Sequence, residues 1–272
     1  MKQLVVTLAK CLMIPLGMIH TLLGEGRPTV SILMYHRIHD GVEKELSVKE
    51  ADFRWQMDYL RRKGYRVISL DEALALPSPV PGAKEKFAVL TFDDGYEDFL
   101  TKAYPLLRQY RYPSIVYIVP GYIDTGKVFW WDRDIGRSSL LSWSQIGELS
   151  ADGLVQFGSH TMTHPDLDGL QEKEILREMQ ESRESIQRRI QKEVRHFAYP
   201  RGIVTDSAMQ SAARCYDTAV SIFEGTQIRR GGQWAMLRRL PVQRTDGRLL
   251  FGARLRGWLV AEGWLKGLVG RH

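Results

Sequence analysis

KFAVLTFDDG, residues 86 to 95, runs a β-rich apolar stretch into two adjacent carboxylates and a glycine. Like charges side by side repel and aspartate is disfavoured within strands, so Asp93 and Asp94 mark a strand's end. Asp-Gly is also a frequent turn dipeptide, and a solvated turn is the plainest use for the pair. The surrounding chain decides between a turn and a site. Upstream, TVSILMY (29 to 35) and YRVISL (65 to 70) read as strands, and SVKE (47 to 50) reads as a capping box opening a helix through Phe53, Met57 and Leu60. SLDE (69 to 72) is a second capping box, followed by a Pro-rich loop, LPSPVPG (76 to 82).

Downstream the alternation continues. YEDFLTKAYPLLRQY (96 to 110) reads as a helix and SIVYIV (114 to 119) as a strand, before a long loop carrying Trp130 and Trp131. A helix from Ser142 to Ser150 leads to the strand LVQFGS (154 to 159), and a charged helix over 171 to 192 sets Leu176, Met179, Ile186 and Ile190 on one stripe. FAYP (197 to 200) and DTAVSI (217 to 222) are short strands around a helix near 204 to 214. No internal repeat or domain-dividing linker interrupts this pattern. Alternating strands and helices predict a single-domain parallel α/β architecture, open or closed into a barrel. Active sites of such folds gather at the carboxyl ends of the strands.

Composition bounds the rest. A chain of 272 residues with 44% hydrophobic content can bury a large core, which argues against disorder. Two cysteines, Cys11 and Cys215, provide no disulfide framework and no cysteine metal motif. The net charge of +6 suits an anionic membrane or a phosphorylated ligand, and no nucleic-acid partner is expected. Residues 1 to 28 carry two apolar runs split by Lys10 and strained by Pro15. They read as an interfacial or core-packing helix, or as an export signal or anchor. Residues 244 to 272 set Leu255, Trp258, Leu259, Leu265 and Leu268 at helical spacing, beside Trp264 and among Arg254, Arg256, Lys266 and Arg271. This basic amphipathic helix either closes the core or lies on a membrane.

Read in order, the strand ends hold His36, then Asp93 and Asp94, then His160 with His164, then Pro200-Arg201-Gly202. In SHTMTH the two histidines have the i, i+4 spacing that lets both imidazoles reach one ion from a helical turn, which Pro165 would end. Two histidines and a carboxylate form a common three-ligand set for catalytic zinc, with a position left for water. Adjacent aspartates on an extended chain point in different directions, so one can ligate while its neighbour acts as general base. A cation between them and the histidines offsets the like-charge repulsion.

These residues carry a resemblance. TFDDG, SHTMTH and FAYPRG, with LMYHRI near the start, resemble the polysaccharide deacetylase family (carbohydrate esterase family 4) over residues 29 to 243. The FAYP form resembles a branch that includes exopolysaccharide-modifying enzymes. The resemblance implies a distorted (β/α) barrel and metal-dependent hydrolysis of an N-acyl group, usually N-acetyl, from an amino sugar. It implies Asp93 as general base, Asp94, His160 and His164 as ligands of one divalent metal, and the backbone near Arg201 as an oxyanion donor. Zinc is the expected metal, with iron, cobalt or nickel suited to the same donors. Two positions depart from the family pattern. Ala198 stands where many members place an arginine that orients the base, with Arg201 in place of an aromatic, and Arg239 stands where many place the histidine that protonates the amine.

His36 is the remaining candidate for that acid, the alternative being a packing or hydrogen-bonding role beneath the site. Trp130 and Trp131, with Tyr199, Pro200 and Arg239, are the expected substrate contacts, although a Trp pair can equally anchor a loop on the core. The expected substrate is an N-acylated amino-sugar glycan, as a polysaccharide, an oligosaccharide or a lipid-linked glycan, handled at a membrane, at its cytoplasmic face or after export or anchoring by the N-terminal segment. A catalytically silent glycan-binding module of the same fold and a deacylase for a non-sugar amide are the competing readings.

Overall fold

The computed structural model describes residues 2–23, 30–76, 85–135, 139–222 and 235–259. In chain order it has α1 (Lys2–Leu23), β1 (Val30–Tyr35), β2 (Arg37–Ile38), β3 (Ser47–Val48), α2 (Glu50–Arg62), β4 (Tyr65–Val67), α3 (Leu70–Ala75) and β5 (Lys86–Phe92). There follow α4 (Tyr104–Tyr110), β6 (Ser114–Ile118), α5 (Pro120–Thr125), α6 (Trp143–Asp152), β7 (Val155–Ser159), α7 (Glu172–Ile190) and β8 (His196–Ala198). The chain ends with α8 (Asp206–Cys215), β9 (Thr218–Ser221), β10 (Ala235–Arg238), β11 (Leu240–Pro241) and α9 (Phe251–Leu255). Two compact units emerge, Met1–Leu90 with Leu240–His272, and Thr91–Arg239.

In the second unit the strand order is β10-β9-β8-β7-β6, followed by the end of β5, and the pairs from β6 to β10 are all parallel. Helices α4, α6, α7 and α8 make the crossovers, as parallel neighbours require. The helix-crossed parallel strands are those of a distorted (β/α) barrel, the class expected from the sequence. α7 buries Ile175, Met179, Ser182, Ser185 and Ile186, one position off the expected stripe at its start, with Leu176 and Ile190 only half-buried. The helix expected over 96 to 110 opens with a wide π-turn, Phe99–Ala103, before α4.

In the first unit β1 lies between β5 and β11, and β4 pairs with β5 in parallel. SLDE is the capping box expected: the Ser69 hydroxyl accepts from Glu72 N–H, and the Glu72 carboxylate accepts from Ser69 N–H. SVKE is not one. Ser47 is buried in β3, parallel to β2, and its hydroxyl donates to the His39 carbonyl, so α2 starts after Lys49 with no side-chain cap. A bridge to a preceding segment outcompetes a local signature. Arg244 pins the segment between β2 and β3, donating to the carbonyls of His39, Asp40 and Ser47.

α1 runs through Pro15 and is tied down by one face. Lys10, 2% exposed, donates to Glu45, Gln243, Thr245 and Asp246, while Arg254 donates to Asp246 from the other side. Cys11 and Ile14 pack on Leu250, Ala253, Leu259 and Trp258. A Cβ on Gly17 would stand 1.9 Å from the Trp258 carbonyl oxygen, so only glycine allows this approach. Of the C-terminal helix expected over 244 to 272, α9 is the described part; Leu255 and Leu259 are buried, the core-closing alternative, and Arg254 is buried with Asp246 rather than facing outward. Residues 260–272, with Trp264, Leu265, Lys266, Leu268 and Arg271, lie outside the described residues, as does the loop 77–84.

Burial alone would raise the Asp246 carboxyl, but Arg254 and Lys10 overcome it and hold the group below the usual carboxylate range. A depressed folded-state pKa contributes stability above the unfolded value, about pH 4, and loses it as pH falls through the folded value. Lys10→Met should therefore lower unfolding free energy at pH 7 by about 3 kcal/mol, the scale for breaking a buried pair. The deficit should shrink as the pH drops below about 4. Urea melts at pH 7 and pH 3 check this, and equal midpoints at pH 7 would contradict it.

Candidate active site

β5 delivers Asp93 and Asp94 into the interior, where both are almost fully buried. The backbone does not stay extended through the pair: Asp94 is left-handed (φ +71°), a conformation that short polar side chains tolerate best after glycine. Gly95 follows at φ +73°, and a Cβ there would come within 2.9 Å of the Ile118 side chain, so Gly95 is required twice over.

The histidine loop follows β7. His160 N–H donates to the Ile118 carbonyl (3.0 Å), and its Nδ1 lies 2.7 Å from the Ala198 carbonyl oxygen. Nδ1 must therefore carry the proton, which leaves the Nε2 lone pair facing inward. The loop is not the helical turn that the i, i+4 spacing suggests. Thr161 (φ +64°) and His164 (φ +55°) are both left-handed, and the Thr161 hydroxyl donates to the His160 carbonyl while accepting from His164 N–H. The result is the same convergence by another route. His160 Nε2 and His164 Nε2 stand 3.7 and 3.8 Å from one oxygen, Asp94 Oδ1.

The donor atoms of Asp94, His160 and His164 all lie within 4.8 Å of one another. Donors about 2.1 Å from a tetrahedral ion sit roughly 3.4 Å apart, so the set fits a divalent metal with little adjustment. Burial lowers the His160 pKa, favouring the neutral imidazole that a metal requires.

Asp93 has a different partner. Arg239, 1% exposed, donates from Nη1 to Asp93 Oδ1 (2.5 Å) and from Nη2 to Oδ2 (2.6 Å), with a further bond to Thr91 Oγ1 (3.1 Å). Its guanidinium also lies over the Tyr117 ring at 5.5 Å. Expected as a substrate contact, Arg239 is instead sealed inside and spent on Asp93. The fork fixes the carboxylate plane while leaving lone pairs on each oxygen.

An aromatic stack walls His164. Tyr122 stacks on Phe129 (4.3 Å) and Phe129 on Trp131 (4.6 Å), with Trp131 set edgewise to the His164 ring at 4.9 Å. Trp131 is held by its indole N–H donating to Tyr96 OH, which itself donates to buried Asp132 (2.6 Å). Trp130 is 58% exposed. The other expected residues sit differently. Tyr199 is fully buried, its hydroxyl has no hydrogen-bond partner among the described residues, and burial raises its pKa; Pro200 is buried too. Arg201 is left-handed (φ +54°), and its exposed side chain pairs with Asp166 at 2.6 Å. His36 follows β1 in the other unit and is half-buried.

A family model for polysaccharide deacetylases matches residues 81–220, just over half of the 272-residue chain. The chain belongs to the polysaccharide deacetylase family. Among curated relatives, YxkH of Bacillus subtilis (strain 168) is 27% identical over 208 residues, 76% of this chain and 69% of YxkH. The poly-beta-1,6-N-acetyl-D-glucosamine N-deacetylase of Escherichia coli (strain K12) is 32% identical over 137 residues, and those span 47% of this chain but 20% of that protein. Among solved structures, the Streptococcus pyogenes deacetylase PplD in complex with acetate superposes with TM-score 0.65 at 28% identity, covering 81% of this chain and 96% of that one. IcaB from Ammonifex degensii shares the fold (TM-score 0.69, 22% identity, 83% of this chain and 97% of that one).

In this deacetylase, Ala198 and Arg239 are two sides of one exchange. The third motif has alanine at 198, and Arg239, from the strand-end segment LRRLPV, reaches Asp93. Arg239→Ala should cost about 3 kcal/mol of stability by leaving Asp93 buried without its guanidinium, and lower kcat by about a hundredfold. Arg239→Lys keeps the charge without the fork and should recover stability more than rate. Denaturation midpoints and single-substrate kinetics check both, and an Arg239→Ala enzyme with unchanged kcat would contradict the assignment.

Proposed function

We propose that this polysaccharide deacetylase hydrolyses N-acetyl groups from the amino sugars of a glycan, with a divalent metal, zinc by preference, held by Asp94, His160 and His164. The observation that carries the reading is the division of labour between two neighbouring carboxylates. Asp94 faces two imidazoles, and Asp93 is bound by Arg239 beside them. A divalent metal supplies Lewis acidity and water of lowered pKa. Asp93, held in plane by Arg239, takes the proton as water adds to the amide carbonyl. The backbone at Arg201 is the proposed donor to the oxyanion. The C–N bond then breaks, a proton passes to the departing amine, and acetate and a free amino sugar result. The part proposed for His36, giving that proton, rests on its residue type and strand-end position alone.

The Trp131–Phe129 wall supports a sugar-facing site, because a flat apolar ring edge beside the reacting centre suits a pyranose face. The E. coli relative supports an N-acetylglucosamine polymer as the substrate class. Zinc-loaded enzyme given N-acetylglucosamine oligomers should release acetate, chelation should stop it, and Asp93→Asn should slow it by about a hundredfold or more. Absence of acetate release from β-1,6-linked oligomers and from every other N-acetylated glycan offered would overturn the proposal.

We infer a second property, association with a lipid surface through α1. No helix among the described residues is long and apolar enough to cross a membrane. Yet Leu8, Leu12, Leu16 and Ile19 recur at helical spacing on the face away from Lys10 and are 52% to 80% exposed. α1 contains no acidic residue, and the chain carries net +6. Four or five such side chains make a patch on the order of a few hundred Å², short of the roughly 800 Å² per partner of a stable dimer but suited to interfacial insertion. In flotation with phosphatidylglycerol-rich vesicles the protein should rise with lipid, and Leu12→Glu/Leu16→Glu should lower its partitioning about tenfold or more. A protein that stays with the soluble fraction, or a light-scattering dimer that the double variant dissolves, would contradict it.

A further inference from the structure

The loop joining His160 to His164 is held by ties from outside itself. His160 is fixed at both ends, by its N–H on the Ile118 carbonyl and its Nδ1 on the Ala198 carbonyl. The Met162 carbonyl accepts from Gly121 N–H at 2.9 Å, and a Cβ on Gly121 would stand 2.6 Å from that oxygen. The remaining loop groups all turn to one side chain on α7. Glu178 Oε2 accepts from Met162 N–H (2.9 Å) and Thr163 N–H (2.8 Å), and Oε1 accepts from the Thr163 hydroxyl (2.8 Å).

We propose that Glu178 is a positioning residue for the metal site, setting His164 through the loop without touching the reacting atoms. This rests on the reading of Asp94, His160 and His164 as metal ligands. Thr161 and His164 are both left-handed, a conformation that is strained for non-glycine residues. A loop with two such residues persists when its surroundings over-determine it. A carboxylate accepting two successive backbone N–H groups is a strong, charge-assisted tie, the protein's own anion seated in a backbone nest. The consequence is asymmetric. His160 keeps its own anchors without Glu178, whereas His164 is carried by the backbone that Glu178 clamps and by the Thr161 hydroxyl. Losing the clamp therefore loosens the backbone that sets His164 against the Phe129 and Trp131 rings, while His160 and Asp94 stay.

The sequence offers no sign of this role, since Glu178 is one of several acids on a charged helix. Its neighbour Glu181, one turn on and exposed, makes the control. Zn²⁺ titration of metal-free protein by calorimetry reads the clamp directly, apart from catalysis. Glu178→Ala should raise the Kd about 10- to 100-fold, the range for outer-shell partners of metal ligands. Glu178→Gln, whose amide oxygen still accepts from both N–H groups and whose amide nitrogen can donate to the Thr163 hydroxyl, should recover most of it. Glu181→Ala should leave the Kd unchanged. Thr163→Val removes the hydroxyl tie alone at an exposed position and should raise the Kd measurably, which keeps the test standing if Glu178→Ala does not fold. Wild-type binding with unchanged Kd in Glu178→Ala, or in Thr163→Val should that variant alone fold, would overturn this role. Failure of the wild-type protein itself to bind Zn²⁺ would overturn the ligand reading beneath it and the clamp with it.

Discussion

Two carboxylates on consecutive residues, both buried, cannot share one environment without strong mutual repulsion, and the second unit is arranged around keeping them apart in role. Asp93 is met by a guanidinium fork and Asp94 by two imidazole nitrogens. Each partner answers one charge. Neutralising Asp93 through Arg239 leaves Asp94 as the carboxylate that a cation can claim, so the ion pair shapes the proposed metal set as much as the histidines do. The left-handed turn at Asp94 and Gly95 makes the separation possible, because an extended chain would have carried the second side chain elsewhere.

Parallel strands supply the rest of the precision. Their carboxyl ends lie together, so short segments after β5, β7 and β8 and the residue after β10 bring Asp93, Asp94, the two histidines and Arg239 together without long excursions. The backbone joins in: the Ala198 carbonyl orients His160, and the Ser221 carbonyl accepts from Arg239 N–H at 2.8 Å. Strain in the histidine loop is tolerated because it is bound on several sides. That is the usual condition for left-handed threonine and histidine at a working site.

The sequence revealed the chemistry better than the backbone that delivers it. Strand-helix alternation announced the parallel fold, and the residue types at strand ends announced the cluster of Asp94, His160 and His164, because both depend on side-chain identity in short stretches. What it misjudged depends on distant partners. SVKE has the local form of a capping box, but Ser47 is taken by a bridge to β2 and the His39 carbonyl. The SHTMTH spacing suggested a helical turn, since nothing local reveals that Thr161 and His164 are left-handed. Arg239 was visible as a departure from the family pattern, yet its partner lies 146 residues away. A motif short of an arginine, beside another with an arginine in an unexpected place, was the available signal. Tyr199 and Pro200, drawn from a motif, prove buried, whereas Trp131 stands edgewise beside His164.

In the proposed site Asp94 binds the metal and Asp93 does not. X-ray absorption at the zinc edge, on protein loaded with one equivalent of Zn²⁺, reports the ligands directly. The expected shell contains two imidazoles and a carboxylate oxygen, unchanged in Asp93→Asn, with no stoichiometric binding in Asp94→Asn. A shell without imidazole, or binding that is lost in Asp93→Asn and retained in Asp94→Asn, would contradict it.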